Sequence, residues 1–333
     1  MPNRIFVPPP QALDRNLALE VVRVTEASAL AAGRWVGRGD EKSADEAATA
    51  AMREALNSLA MDGVIVNGDA EDPNQPLHNG EHVGTDKGPR VDIALTAIEG
   101  VTICAKGSHN ALSVVAATDS GSFLHVPQNV YMEKIAVGGR LPKGIIDLER
   151  EPEENLARVA AAKGMAVTEL TVCMLDRPRH ADLLGRIYDS GARVVLIDDG
   201  DVSGAIATGL PETGIDLYMG SGGAAEGVLA AAGLKCLGGQ MQCRLMLRSE
   251  DEKQRARHAG IQDLNAKWDV DQMVRGDVMF AATGITDGHL LKGVRFYKGG
   301  AISHSIVMRS MTGTIRQLSA RHDFDKHAKL HDR

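Results

Sequence analysis

From Gly220 to Glu226 the chain reads Gly-Ser-Gly-Gly-Ala-Ala-Glu, a glycine-rich turn between an apolar run and a helical pattern. Such a turn exposes backbone N–H groups at a helix start, where the helix dipole also favours an anion. It is equally the form of a plain strand-to-helix connection, and it lacks the Lys-Ser/Thr of a P-loop and the full GxGxxG spacing. Glu226 narrows the choice, because a carboxylate beside a phosphate cradle makes sense when a cation lies between them. Asp176-Arg177-Pro178-Arg179-His180 sets two guanidinium groups around a proline. Arginine forks match phosphate oxygens in pairs, although a surface turn of paired charges has the same composition. Asp198, Asp199 and Asp201 either cap the next helix or accept hydrogen bonds from sugar hydroxyls. In the first half, Asp45, Asp69, Glu71, Asp92 and Glu99 stand near element ends. Hard divalent cations need several carboxylates from separate segments. Asp45 by itself also suits a helix N-terminus, and Asp69 and Glu71 also suit a solvated loop.

These residues need elements to position them. Leu17, Val21, Val24, Ala31 and Trp35 recur at helical spacing, and Gly37 to Asp40 end that helix. Ser43-Ala44-Asp45-Glu46 reads as a capping box opening a helix to about Leu59. Strands are expected at Val64–Val66, Val91–Leu95, Ala111–Ala117 and Ile135–Val137. From about residue 152 helices and strands alternate: strands at Leu170–Leu175, Arg193–Ile197 and Ile215–Met219, with a helix at Gly227–Leu237. That alternation implies a mostly parallel sheet with crossovers. It also places the three unusual loops at strand C-terminal ends, where open α/β sheets bind ligands.

The chain has 333 residues, room for one large domain or two fused halves. A net charge of −7 argues against a phosphate-backbone binder, which needs clustered Lys and Arg, and leaves open a small anionic substrate whose charge cations or a local basic patch offset. No uncharged run is long enough to span a bilayer, and Met1 to Pro10 has no apolar signal core, so a cytoplasmic location is expected. Cys104, Cys173, Cys236 and Cys243 form no CxxC pair and read as buried free thiols. Residues 1–12 and 321–333 are expected to be flexible, flanking an α+β half at 13–165 and an α/β half at 166–320. The His-rich tail has irregular spacing and no cysteine, which favours a solvated end over a metal site.

Taken together, the motifs resemble one family. Trp35-Val36-Gly37-Arg38-Gly39-Asp40 with Ala44-Asp45, Gly88-Pro89-Arg90-Val91-Asp92-Ile93-Ala94 and Val130-Tyr131-Met132-Glu133-Lys134-Ile135-Ala136-Val137-Gly138 are similar to the GlpX-type class II fructose-1,6-bisphosphatases. So are Leu175 to His180, Asp199-Gly200-Asp201-Val202, Gly222 to Gly227 and Ala282-Thr283-Gly284-Ile285-Thr286, in family order over roughly residues 14 to 318. The resemblance implies the layered α-β-α-β-α sugar phosphatase fold shared with inositol monophosphatases. It implies Mn2+ or Mg2+ dependence and hydrolysis of the 1-phosphate of fructose 1,6-bisphosphate by metal-activated water, in gluconeogenesis or the Calvin cycle. Photosynthetic relatives also accept sedoheptulose 1,7-bisphosphate. A homodimer or homotetramer, with no nucleic-acid or membrane partner, is implied as well.

Carried over by position, the resemblance assigns metal binding to Asp45, Asp69, Thr96, Glu99 and Glu226. Substrate contacts fall on Gly100, Tyr131, Arg177, Pro178, Arg179, Asp199, Gly200, Asp201 and Gly223. Catalytic roles fall on Glu71, Glu99 and Val101. Three positions depart from the family pattern. Asp69 stands for a Glu, Thr96 replaces a carboxylate ligand, and Val101 replaces a hydroxyl that places water or phosphate. Those departures open a second hypothesis, a paralogue that binds sugar bisphosphates without turning them over.

Overall fold

The computed structural model describes residues 17–326. The stretch 1–12 and residues 327–333 of the expected tail lie outside them. Helix α1 (Leu17–Gly33) is followed by α2 (Glu41–Asn57), in which Ala44, Ala48, Met52 and Leu56, each four residues on, are fully buried. Asp40, not Ser43, caps α2: its carboxylate accepts from Ser43 N at 3.0 Å and Ser43 Oγ at 2.6 Å. Asp40 lies three residues before Ser43, so Ser43 becomes the capped position and the helix starts one turn earlier than expected.

In chain order there follow β1 (Asp62–Asn67), β2 (His82–Val83), β3 (Arg90–Glu99), α3 (Val101–Lys106), β4 (Leu112–Asp119) and β5 (Tyr131–Val137). The alternating part comprises α4 (Pro152–Lys163), β6 (Thr171–Leu175), α5 (Ala181–Asp189), β7 (Arg193–Ile197), α6 (Asp201–Ala207), β8 (Leu217–Gly223) and α7 (Ala224–Leu237). The chain continues through β9 (Gln240–Met246), α8 (Glu250–His258), β10 (Lys267–Asp269), α9 (Val270–Met273), β11 (Val278–Gly284), β12 (Arg295–Tyr297), β13 (Gly300–Arg309) and β14 (Thr314–Asp323).

Among the described residues the strands form two sheets. One runs β12-β13-β11-β4-β3-β1-β2, with β14 on the far side of β13; the other runs β10-β9-β5-β8-β6-β7. The second sheet is mixed rather than mostly parallel. Strands β7, β6 and β8 are parallel, but β5, from earlier in the chain, inserts antiparallel between β8 and β9. The β8–α7–β9 crossover therefore spans a strand that its own local pattern does not reveal. The first sheet takes strands from both ends of the chain, because β11 pairs antiparallel with β4. Residues assigned to the separate 13–165 and 166–320 halves thus share one sheet. Residues 321–323 belong to strand β14, Arg321 opposite Ile302 and His322 opposite Ala301, and not to a free tail. Their charge fits an edge strand with one solvated face.

Three apolar layers order the whole. Ile93, Leu95, Val115 and Val307 of the first sheet pack with α1 and α2. Ala94, Val114, Phe280 and Met308 on its other face meet Val202, Ile206, Val228 and Leu229 of α6 and α7, which in turn cover Met132, Ala136, Cys173 and Tyr218 of the second sheet. The outer face of that sheet, through Ile135, Val172 and Met219, packs on Leu156, Val159 and Ile187 of α4 and α5. This is the expected α-β-α-β-α layering. All four cysteines are free and buried. Among the described residues no helix is long and apolar enough to cross a membrane.

Candidate active site

The ends of β3, β6, β7 and β8 meet at a cavity of about 600 Å³ lined by Asp69, Thr96, Glu99, Gly100, Val101, Tyr131, Arg177, Arg179, Asp199, Asp201, Gly223 and Glu226, among others. That volume suits a small polar ligand. Gly100 makes the turn from β3 into α3 with φ of 85°, a left-handed conformation that favours glycine. A Cβ there would stand 2.6 Å from Ile103 Cγ1.

Of the expected residues, Asp45 opens instead on a neighbouring cavity, whose wall it shares with Asp69. Asp69 lines both cavities. Glu71 is exposed, accepts from Gln128 N at 2.8 Å and lines neither. Pro178 and Gly200 also stay off the lining: Pro178 opens the short turn that presents Arg179, and Gly200 precedes α6.

The carboxylates carry more negative charge than their surroundings compensate. Burial, then the Asp201 charge, holds the Glu99 carboxyl well above its ordinary value. Glu226 is raised for the same two reasons, and Asp199 by burial with Asp201 beside it. Burial, with the Asp45 and Glu226 charges behind it, pushes Asp69 up to about 7 against the hydrogen bond that its Oδ2 accepts from Ala97 N at 2.8 Å, although the residue as a whole is exposed. Glu99 Oε1 accepts from Val202 N at 2.6 Å, whereas Glu99 Oε2 is buried without a partner. Against this stand Arg177, 3.8 Å from Asp199, and Lys134, hydrogen-bonded to Asp201.

These features fit a hard divalent cation. Oxygen donors surround the cavity, they repel one another, and a buried carboxylate oxygen lacks a partner. Among the described residues, however, no three acid, histidine or cysteine side chains gather closely enough to hold an ion alone. An ion here would draw its remaining ligands from water or from a bound anion, as Mg2+ commonly does.

A family model described as bacterial fructose-1,6-bisphosphatase, glpX-encoded, matches residues 15–322. The chain belongs to this family. It is 43% identical over 333 residues to the fructose-1,6-bisphosphatase class 2 of Haemophilus influenzae, covering 96% of this chain and 99% of that one. It is 40% identical over 336 residues to the D-fructose 1,6-bisphosphatase class 2/sedoheptulose 1,7-bisphosphatase of Synechococcus sp. (strain JA-3-3Ab), covering 93% of this chain and 96% of that one.

Two positions that the resemblance marks as departures, Thr96 and Val101, both line the cavity wall of this glpX-family chain. Thr96 puts a neutral side chain in the same wall as Asp69, and Val101 presents an apolar side chain to the cavity. Lys134 was not singled out from the sequence. Its signal was a lone lysine between Met132 and Ala136, which alternation puts on one buried face of β5. A lysine in that setting must have a charged partner.

Proposed function

We propose that this protein hydrolyses the 1-phosphate of fructose 1,6-bisphosphate to fructose 6-phosphate and phosphate, in the cytoplasm and as a homodimer or homotetramer. The observation that supports this most is one cavity holding both an acid wall, Asp69, Glu99 and Glu226, and an arginine pair, Arg177 and Arg179. Asp69, Glu99 and Glu226, with Asp45 from the neighbouring cavity, would hold Mn2+ or Mg2+. A bound divalent cation supplies charge neutralisation at the phosphate and acidifies water. Arg177 and Arg179 bind phosphate oxygens, and Asp199 and Asp201 accept from sugar hydroxyls. Glu99, with a free buried oxygen facing no other donor, is placed to accept a proton. Phosphoryl transfer asks the protein chiefly for such positioning and charge.

Thr96 and Val101 favour a second reading, in which the chain binds the bisphosphate without hydrolysing it. Losing one oriented donor at a transition state costs about 10²–10³ in rate. Phosphate release from fructose 1,6-bisphosphate, followed through a Mn2+ titration, separates the two. The wild type should turn over at saturating Mn2+. An inert wild type beside an active Thr96→Asp, Val101→Thr variant would establish the second reading. If both are inert and the bisphosphate does not raise the melting temperature, both readings fail.

A further inference from the structure

Strand β8 pairs with β6 only at Leu217 and Tyr218. Beyond Tyr218 no strand among the described residues pairs with that edge, although β5 continues to pair along the other side to Gly223. Two side chains from the turn after β6 take the missing strand's place at Ser221. The Ser221 N–H donates to His180 Nε2 at 3.0 Å, and the Ser221 carbonyl accepts from Arg179 Nη2 at 2.6 Å. The Ser221 hydroxyl lies 3.0 Å from both Arg179 Nε and His180 Nε2. Because His180 Nε2 accepts, its Nδ1 carries the proton and donates to Leu175 O at 2.8 Å. His180 and Ser221 are each 5% exposed.

Arg179, by contrast, is exposed at the cavity. A free arginine there would have rotamer entropy to lose on every binding event. Instead Nε and Nη2 are both tied to Ser221, and the guanidinium lies 4.8 Å from the Tyr131 ring centroid. Nη1 is left for a ligand. Gly220 lets this strand edge lie against the imidazole: a Cβ there would meet His180 Cε1 at 3.1 Å.

We infer that His180 and Ser221 are positioning residues: the imidazole docks on the unpaired edge of β8, and Ser221 on that edge fixes Arg179 in the geometry needed to grip a phosphate of the substrate. The substrate part rests on the function proposed above; the network itself does not. Pre-organisation of this kind acts on affinity before it acts on chemistry.

Ser221→Ala removes one atom and leaves the strand's backbone bonds in place. It should raise the KM for fructose 1,6-bisphosphate about tenfold with kcat within about twofold, the pattern of a lost ground-state contact. Added to Arg179→Ala, it should change nothing further, since the two act through one guanidinium. The Arg179 Nε–H signal in ¹H–¹⁵N spectra should exchange slowly in the wild type and be lost in Ser221→Ala. His180→Ala should behave likewise; should it fail to fold, Ser221→Ala carries the test alone. An unchanged KM, a full additive loss in the Arg179→Ala background, or a fast-exchanging Nε–H in the wild type would each overturn the inference. If the wild type is inert towards the bisphosphate, the proposed function fails by itself and the Nε–H signal still decides this point.

Discussion

Lys134 donates from Nζ to Asp201 Oδ2 in the interior, where the two side chains are 1% and 5% exposed. Burial alone would lower the lysine pKa, but Asp201 and Glu226 reverse that and hold it raised. Lys134 is therefore the fixed positive charge beneath the acids of the cavity. Breaking such a pair from one side leaves an unpaired buried charge, at a cost of about 3–5 kcal/mol. Lys134→Met should lose stability on that scale in urea unfolding, and Asp201→Asn added to it should recover part of the loss. A Lys134→Met protein as stable as the wild type would mean that Asp201 finds another partner.

Gly222 makes room for that pair. Its backbone is extended, so its need is for space: a Cβ would lie 2.0 Å from Asp201 Oδ2 and 3.3 Å from Lys134 Nζ. Asp201 cannot swing aside while Lys134 holds it. At Gly223 a Cβ would lie 1.9 Å from Glu226 Oε2, but the Glu226 side chain is half-buried at the cavity whereas Asp201 is fully buried. Gly222→Ala should therefore lower the melting temperature, by the 1–3 kcal/mol or so typical of overpacking. Gly223→Ala should chiefly weaken ligand binding while the fold holds. Thermal melts with and without fructose 1,6-bisphosphate separate the two effects, and equal melting losses would contradict this division.

The layers were legible because strand and helix periods were clean; Arg193–Ile197 was placed to the residue. The sheet order was not, since β5 and β11 join strands remote in sequence and no local pattern records such pairings. Arg177, Arg179, Glu99 and Glu226 line one cavity, and the resemblance named all four, whereas spacing alone left the arginine pair equally a surface turn. Lys134 was overlooked because an isolated lysine reads as surface until its strand is known to be buried on both faces. Glu71 was carried over by position, yet its carboxylate serves the Gln128 backbone.

Glu99 sits in a setting that disfavours its carboxylate form, at the expense of the protein's own stability. Its carboxyl is raised by burial and by Asp201, so in the folded protein its charged form is disfavoured. Glu99→Gln removes that penalty while keeping the shape. It should raise the melting temperature in chelator, abolish the further rise that Mn2+ gives the wild type, and lower phosphate release by about a hundredfold or more. A variant that is less stable in chelator than the wild type would show that the carboxylate is compensated by its surroundings.

His180 should make stability fall on mild acidification. Its pKa is lowered from 6.5, first by burial and then by the Arg179 and Arg177 charges, against the opposing bond to Leu175. A histidine whose folded value is depressed contributes stability that is fully present above its unfolded value and is lost as pH falls through the folded one. The unfolded chain takes up the proton first, and the folded network has no place for it, because Nε2 must accept the Ser221 N–H. Between about pH 7 and pH 5 the unfolding free energy should therefore decline, and the decline should be shallower in His180→Asn, which cannot titrate. Urea unfolding at a series of pH values measures both slopes. Equal slopes would mean that the imidazole takes up its proton as readily folded as unfolded, which its contacts with Ser221 and the two arginines forbid.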